Sequence, residues 1–537
     1  MSDHAVAEVE TPSPAEVELA ELLARVASVE HERDEYRKLY LLLREENERL
    51  KRGLLGQKAE RLPRNDAQLS LAMLGLMLGN SENSADPADD ADAGEEQEIP
   101  AHTRRVPKRR TPPAHWPRVF IELVPPEVER EGLEAFDIIG EERRAVLERR
   151  PASSVIVEVV RKKFVRKADK ELLETPVFIA DPLSLPIDKG LAGPGMLADT
   201  IVKRWCDHQP AHRQEAIYAR DGLELARSTI CGWHQALALT ALPLIHAMKA
   251  DAWLSPYLCT DATGVLVQAP ERCKNGHFWV LVAPEKHVLF EFSEKHDSAA
   301  VDQLLEGYRG YVVADAHAVY DHLYKAGQVV EVGCWFHARR YFFKSLESDP
   351  ERAKQALAFI GALFRIERAI ADSPRKKKES VRDKKSRPVV ESFFAWCDAQ
   401  KDLVLDESPI ASAIGYAINQ RQALERFLDD GRLPISNNIS ERNLRREAVG
   451  RKNWIFVGSE DGALANTVFV SLIASCEMHG IEPWAYLRDL FHLLPDWPKN
   501  RILELAPAYW KETLEQGEAQ RRLDENPLRR ALLTFVR

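Results

Sequence analysis

The sequence predicts a multidomain α+β protein with a mixed sheet core, an all-helical insertion in that core and an N-terminal coiled coil. Its 537 residues are enough for about three to four domains. Apolar residues recur every three and four positions through residues 16–62, and strand patterns alternate with helix patterns through 251–345. Hydrophobic residues at 45% and charged residues at 29% are typical of a soluble globular protein.

Residues 16–62 are predicted to form one long helix that associates with a second copy of itself. Side chains from Leu19 to Leu54 alternate spacings of three and four residues, which is the seam of a coiled coil. Asn47 falls at an a position of this seam, where a buried amide fixes the register and favours two parallel helices. The alternative is an amphipathic helix packed on its own domain. The repeat persists over roughly five heptads, which favours a homo-oligomer.

Charge is unevenly distributed along the chain. The formal net charge of −10 argues mildly against a nucleic-acid partner. However, residues 80–99 hold eight acidic and no basic residues, whereas residues 101–118 hold six basic and no acidic ones. The segment 80–117 is therefore predicted to be a disordered linker, first acidic and then basic. Its basic half is either an arm that contacts the DNA backbone or a solvated tether.

The seven cysteines are scattered and include no Cys-x-x-Cys pair. We therefore expect reduced thiols in a cytoplasmic protein, without a zinc knuckle. The N-terminus lacks the basic and apolar regions of a secretory signal. The most apolar early stretch, Leu71 to Leu78, is too short to span a bilayer.

Two small modules are predicted ahead of the core. Residues 118–190 alternate apolar and polar side chains, which indicates a β-rich module. Residues 191–250 are predicted to be helical, and two helices around the turn Asp221-Gly222 resemble a helix-turn-helix. Arg213 and Arg227 in this pair could contact DNA phosphates. The alternative is a helical hairpin that packs on the core.

Residues 251–345 show the pattern of a mixed sheet. Three strands and a helix are followed by two further strands separated by a helix, which is the order of a ribonuclease-H-like fold. The predicted strands are 257–268, 277–283, 288–292, 311–315 and 329–334, and the predicted helices are 298–306 and 318–325.

The remainder of the chain is predicted to be mainly helical. Residues 346–429 form an insertion, after which the core resumes at 430–480 and a helical tail follows at 481–537. The insertion contains the charged tract 375–387. This tract is either a solvated loop or a surface that follows DNA.

Three acidic residues mark a candidate active site in this core. Asp261 and Asp315 belong to the first and fourth predicted strands, which are neighbours in such a fold, and Glu441 opens a helical segment. Three carboxylates of this kind can hold two Mg²⁺ ions, which stabilise the attacking and leaving oxygens of a phosphoryl displacement. Each acid also has a structural alternative: a turn cap for Asp261, a helix N-cap for Asp315, and a capping box with Asn438 for Glu441.

Basic and amide side chains near these acids suit DNA. His337, Arg339 and Arg340 open a helix after the fifth strand, and arginine side chains bind phosphate oxygens in a bidentate manner. We expect this helix start to contact the scissile or flanking phosphate. The other predicted DNA contacts are Asn437, Asn438, Arg442, Arg445, Arg451 and Lys452.

These motifs, in this order, resemble the insertion-sequence-66 family of bacterial DDE transposases. The most specific stretches are 207–214, 333–340 and 430–442, the last of which continues to 459. The resemblance implies that Asp261, Asp315 and Glu441 are catalytic and bind the metal. It also implies metal-dependent cleavage and strand transfer of an insertion sequence. The expected partners are duplex DNA at the element ends and target, and accessory proteins of the same element.

The sequence departs from the family pattern in three places. The family usually has Glu after its first Asp and Asp before the paired Asn, where this chain has Ala262 and Ser436. Family members also carry two cysteine pairs in the β-rich module, where this chain has 134–140 and 167–170. We therefore expect no zinc. The alternative function is a catalytically impaired DNA-binding regulator derived from a transposase.

Overall fold

The computed structural model describes residues 116–150, 153–169, 176–188, 190–269 and 272–534, together with four helical residues, Arg25, Val26, Val29 and Tyr40. The rest of the predicted coiled coil and residues 80–115 of the predicted linker lie outside the described residues. The chain divides into two compact units, 1–110 and 111–537. Every element below belongs to the second unit.

The first sheet has four strands and lies in the segment predicted to be β-rich. They are β1 (Arg118–Leu123), β2 (Phe136–Arg150), β3 (Ser153–Arg166) and β4 (Val177–Ile179). Strand β3 pairs antiparallel with β2 and β4 and parallel with β1. A short helix, α1 (Pro126–Glu131), connects β1 to β2.

A buried carboxylate joins this sheet to the next helix, α2 (Pro194–Trp205). Oε1 of Glu148 accepts hydrogen bonds from the backbone N–H groups of Arg149 and Met196, each at 2.7 Å. Burial raises the pKa of Glu148 to about 8. Position 195 requires glycine, because a Cβ atom on Gly195 would collide with the Glu148 carboxylate.

We expect Glu148 to make stability depend on pH. Its folded-state pKa lies above the ordinary value of 4.5, so its contribution is complete below that value and is lost as the pH rises through about 8. Glu148→Gln keeps the accepting oxygen and removes the ionisation. In thermal unfolding, the variant should match the wild type near pH 4 and be roughly 3–5 kcal/mol more stable near pH 9. As a control, Glu129→Gln at an exposed position should unfold at the same temperature as the wild type at both pH values.

Two helices follow, α3 (Ala211–Arg220) and α4 (Arg227–Ala252). The predicted helix pair is present, and its second member, α4, is 26 residues long. Its length follows from burial, because side chains from Ile230 to Met248 belong to the main hydrophobic core. Arg227, at the first position of α4, is exposed.

The second sheet has six strands. They are β5 (Tyr257–Val267), β6 (Lys274–Ala283), β7 (His287–Ser293), β8 (Tyr311–Val313), β9 (Val330–Val332) and β10 (Phe456–Val457). The order is β7-β6-β5-β8-β9, with antiparallel pairing from β5 to β7 and parallel pairing from β5 to β9. Strand β10 pairs parallel with the end of β5. Strand β5 is therefore central.

The connections in this segment are helical, as predicted. They are α5 (Ser298–Leu304), α6 (Asp321–Lys325) and α7 (Trp335–Lys344). The insertion then adds α8 (Pro350–Ala369), α9 (Arg375–Val381), α10 (Arg387–Gln400), α11 (Pro409–Asn419) and α12 (Arg421–Glu425). The insertion packs on α7 through aromatic side chains, since the ring centroids of Trp335 and Phe393 are 5.2 Å apart.

The chain returns to the sheet with α13 (Asn438–Trp454) and α14 (Glu460–Met478). Helix α13 packs on β5 and β6, and α14 packs on β7 and α4. Two serines of α14 bond to edge strand β7: Ser471 Oγ accepts from the N–H of Phe290 at 2.7 Å, and Ser475 Oγ accepts from that of Val288 at 3.0 Å. Backbone donors of the edge strand are thereby satisfied by a helix.

The predicted tail is helical and contributes to the first sheet. Its helices are α15 (Pro483–Leu493), α16 (Trp510–Glu515), α17 (Glu518–Glu525) and α18 (Pro527–Thr534). Leu528 and Leu532 of α18 pack with Val119, Val146 and Val157 in one apolar cluster. Among the described residues, no helix combines the length and apolar character needed to cross a membrane.

Candidate active site

Strand pairing places two of the predicted acids side by side. The parallel pairing of β5 with β8 ends where Cys259 lies opposite Val313. Asp261 and Asp315 each follow that pair by two residues, although β8 is shorter than predicted and Asp315 lies beyond its end. Because the two strands are parallel and the offset is equal, Asp261 and Asp315 lie at the same level along this strand pair.

The Asp261 carboxyl is half-buried within β5. Its Oδ1 accepts a hydrogen bond from the N–H of Ala262 at 2.8 Å. Burial is the main cause that raises the pKa of Asp261 to about 7, and the negative charges of Asp315 and Glu441 raise it further. The three predicted acids therefore interact electrostatically.

Glu441 lies in the first turn of α13, and two side chains of α7 face it. Its Oε1 is 3.3 Å from Nε2 of His337 and 3.6 Å from a guanidinium nitrogen of Arg340. Burial lowers the pKa of His337, which favours the neutral imidazole. Two predicted DNA contacts thus lie against the third acid.

The structural alternatives for the acids find little support. The 3₁₀ turn after Asp315 is capped by His317, whose Nδ1 accepts from the N–H of Val319 at 3.4 Å. Helix α13 has Asn437 as its N-cap, without a side-chain capping bond. Neither Asp315 nor Glu441 caps a helix here.

Asn437 is buried and connects three elements of the site. Its Nδ2 donates to the carbonyl oxygen of Thr260 at 2.7 Å, and its backbone N–H donates to Sγ of Cys334 at 3.1 Å. The first bond reaches β5 next to Asp261, and the second reaches the residue before α7. The structure places this side chain inside the protein, not on the exposed surface where the sequence predicted a DNA contact.

We expect Asn437→Ala to destabilise the second unit by about 1–3 kcal/mol, because the buried carbonyl of Thr260 loses its donor. Cleavage activity should fall as well, since β5 and α13 lose a direct connection beside the acids. Asn443→Ala on the same helix removes only a local bond to Ile439 and should have a small effect. Equal unfolding temperatures for the two variants, measured by calorimetry, would contradict this role.

The remaining predicted DNA contacts lie mostly on the surface. Arg213 Nη1 donates to Oδ1 of Asn453 at 3.2 Å, which brings α3 to the end of α13. Arg451 is half-buried and donates to Oγ1 of Thr263 on β5 at 3.0 Å, and Asn438 is also half-buried. The exposed members are Arg213, Arg227, Arg339, Arg340, Arg442, Arg445 and Lys452.

A histidine cluster beside Asp315 was missed by the sequence analysis. The ring of His296 stacks on Trp279 with centroids 4.8 Å apart and planes inclined by 9°. Its centroid is also 4.6 Å from that of His317 and 5.1 Å from that of His277. These residues come from β6 and from two separate loops, so no spacing in the sequence connects them.

The acids offer the oxygen donors that Mg²⁺ prefers. Oε1 of Glu441 is buried and accepts no hydrogen bond from the described residues. In the described part of the chain, no group of three or more His, Cys, Asp or Glu side chains is close enough to hold a metal ion. The donor types therefore fit a divalent cation, while the side chains do not form a closed ligand set.

Comparison with known proteins yields matches over most of the chain. Residues 189–465 match the family described as Transposase IS66 family, and residues 471–508 match the IS66 C-terminal element. Residues 42–121 match a family described as Transposase C of IS166 homeodomain.

Three proteins of Sinorhizobium fredii are similar to this chain. The uncharacterized protein y4hP is 28% identical over 86% of this chain and 88% of its own length. The uncharacterized protein y4qI is 29% identical over 86% of this chain and 87% of its own length. The uncharacterized protein y4jD is 27% identical over 70% of this chain and 76% of its own length.

Proposed function

The chain belongs to the IS66 family of transposases, and from this premise we propose that it is a DDE transposase. It would cleave DNA at the ends of an insertion sequence and join the freed 3′-hydroxyl to target DNA. The observation that carries the proposal is the equal offset of Asp261 and Asp315 beyond a parallel strand pair, with Glu441 coupled to them.

In this proposal, Asp261, Asp315 and Glu441 would hold the metal and orient the phosphodiester. When bound, Mg²⁺ would supply charge stabilisation for the attacking and leaving oxygens. Arg340, exposed and beside Glu441, is placed to donate to a phosphate oxygen. Nε2 of His337, a residue whose pKa burial lowers, would either donate a hydrogen bond or accept a proton, depending on its tautomer.

We further infer that the second sheet is a ribonuclease-H-like core. The support is the strand order, in which β5 is central, β6 and β7 run antiparallel on one side, and β8 and β9 run parallel on the other. This is the arrangement in which carboxylates on β5 and after β8 become neighbours.

We also propose that the chain self-associates through residues 16–62 and binds DNA with its N-terminal part. Three positions of the predicted seam, Val26, Val29 and Tyr40, are helical and between 52% and 64% exposed, as expected of a seam that needs a partner helix. The homeodomain description matched by residues 42–121 supports the DNA contact. The accessory proteins and the cytoplasmic location stay predictions.

The proposal is tested with a labelled duplex that carries a terminal sequence of the element encoding this chain. We expect nicks at the element end on a denaturing gel in the presence of Mg²⁺, and none in EDTA. Tight binding without cleavage would instead support the second candidate, a catalytically impaired regulator. This candidate rests on Ala262 and Ser436, which depart from the carboxylates that the family resemblance implies at these positions.

A further inference from the structure

The charged tract of the insertion is part of a continuous helical segment, 375–400, and not a loop. Helices α9 and α10 are joined by a π-turn, Arg382–Ser386, in which the N–H of Arg387 donates to the carbonyl of Arg382 five residues earlier. A π-turn accommodates an extra residue within a helix and is frequent at functional sites. Within this turn Arg382 is buried, while Lys384 and Lys385 are exposed.

Four lysines form an exposed surface on this segment, which we call the lysine ridge. Its members are Lys376, Lys377, Lys384 and Lys385. Two acidic residues lie in 375–387, and both are already engaged: Glu379 pairs with Arg375 at 2.7 Å and Asp383 pairs with Arg387 at 2.9 Å. Among the described residues, no ion pair involves a lysine of the ridge. Its positive charge is therefore uncompensated within this part of the chain.

A solvated helix surface usually carries acidic and basic residues at positions four apart, because like charges at that spacing are unfavourable. The lysine ridge lacks such partners and is held in place from the other side. Arg382 donates to the carbonyl oxygens of Phe427, Asp430 and Leu433 at 2.5, 2.9 and 3.0 Å. The ridge is thus a fixed array of positive charge.

We propose that the lysine ridge binds the phosphate backbone of duplex DNA without reading its sequence, which rests on the proposed function. The helix rises about 13 Å from Lys376 to Lys385, which matches the axial rise of about four base pairs of duplex DNA. Lysine acts on phosphate as a point charge and makes no bidentate base contact here. Binding without sequence preference is what a transposase requires of a surface for target DNA.

The ridge has a defined position relative to the candidate active site. The N–H of Gly431 donates to Oε1 of Glu379 at 3.1 Å, and Arg375 lies 3.3 Å from the Asp430 carboxylate. These contacts attach the ridge helix to the segment that leads into α13, which carries Glu441. A duplex on the ridge would therefore be held at a constant distance from the acids.

The test measures how the binding of the full chain to a duplex of about 30 base pairs with arbitrary sequence depends on salt concentration. Fluorescence anisotropy reports the binding. The ridge variant replaces Lys376, Lys377, Lys384 and Lys385 with Gln. If each lysine contacts one phosphate, the slope of log K against log salt should become shallower by about 3 to 4. A matched control replaces four exposed lysines elsewhere with Gln, namely Lys325, Lys354, Lys401 and Lys499.

Equal slopes for the ridge variant and the matched control would overturn the proposal, and would leave an acidic protein as the partner to consider. Circular dichroism should show that both variants fold, since all eight side chains are exposed. The cleavage assay separates the two proposals. If the wild type cleaves no DNA but its salt slope is steeper than that of the ridge variant, the proposed function is contradicted and the ridge proposal stands. If the wild type cleaves DNA and the ridge variant has the same salt slope as the wild type, only the ridge proposal is contradicted.

Discussion

Asp261→Asn should lower the rate of DNA cleavage by about 1,000-fold or more, while binding to the same DNA stays within about twofold. The expected loss is about 4 kcal/mol of transition-state stabilisation, because the substitution removes one of the three charges that would hold the metal. Asp315→Asn and Glu441→Gln should behave in the same way. Single-turnover cleavage on a denaturing gel and fluorescence anisotropy measure the two quantities separately.

Stability distinguishes a functional acid from a structural one at this site. The pKa of Asp261 is raised to about 7, so its ionisation opposes folding as the pH rises through that value. Asp261→Asn should therefore leave the unfolding temperature nearly unchanged near pH 4, close to the ordinary pKa of 3.8, and raise it at pH 8. The exposed Asp406→Asn is the control and should alter neither rate nor stability. Near-normal cleavage by Asp261→Asn would remove this residue from the site.

Arg382→Met should lower the free energy of unfolding by about 3–5 kcal/mol. The guanidinium of Arg382 is 2% exposed and forms a bidentate pair with Glu367 at 2.7 and 2.9 Å. It also donates to three backbone carbonyls. Methionine fills a similar volume, but it leaves the mostly buried Glu367 carboxylate without its ion-pair partner and removes one donor from each of the three carbonyls. Calorimetry on the full chain measures the shift in the unfolding temperature.

Arg368→Met provides the matched comparison. Arg368 lies on α8 close to Glu367 in sequence and is exposed, so its replacement should change stability by no more than about 0.5 kcal/mol. If the two variants unfold at the same temperature, Arg382 does not hold the insertion against the segment that leads into α13.

The sequence predicts five of the six strands of the second sheet, because each of those five is a short apolar run with its own turn signals, whereas the two-residue strand β10 was not predicted. Observed β5 and β7 begin or end within one residue of the predicted limits. The acids Asp261 and Asp315 could be named for the same reason, since each follows such a run. Their equal offset could not be predicted, because it follows from the register between β5 and β8, which depends on contacts between distant segments.

Other features of the site arise only from folding. Asn437 was predicted to contact DNA together with the basic and amide side chains near the acids, yet its amide donates to a carbonyl 177 positions away in the chain. The cluster around His296 likewise joins residues from separate loops. Local patterns carry no information about such partners, because the contacts are set by how sheet and helices pack together.

The packing of α18 on the first sheet has a consequence for the order of events during synthesis. The hairpin of β2 and β3 is translated early, but Leu528 and Leu532, which close its apolar surface, follow Arg166 by about 360 residues. At ribosomal rates of about 5–20 residues per second, the nascent hairpin waits roughly 20–70 seconds for its cover. The first sheet to leave the ribosome is thus covered only after the whole of the second sheet has been translated.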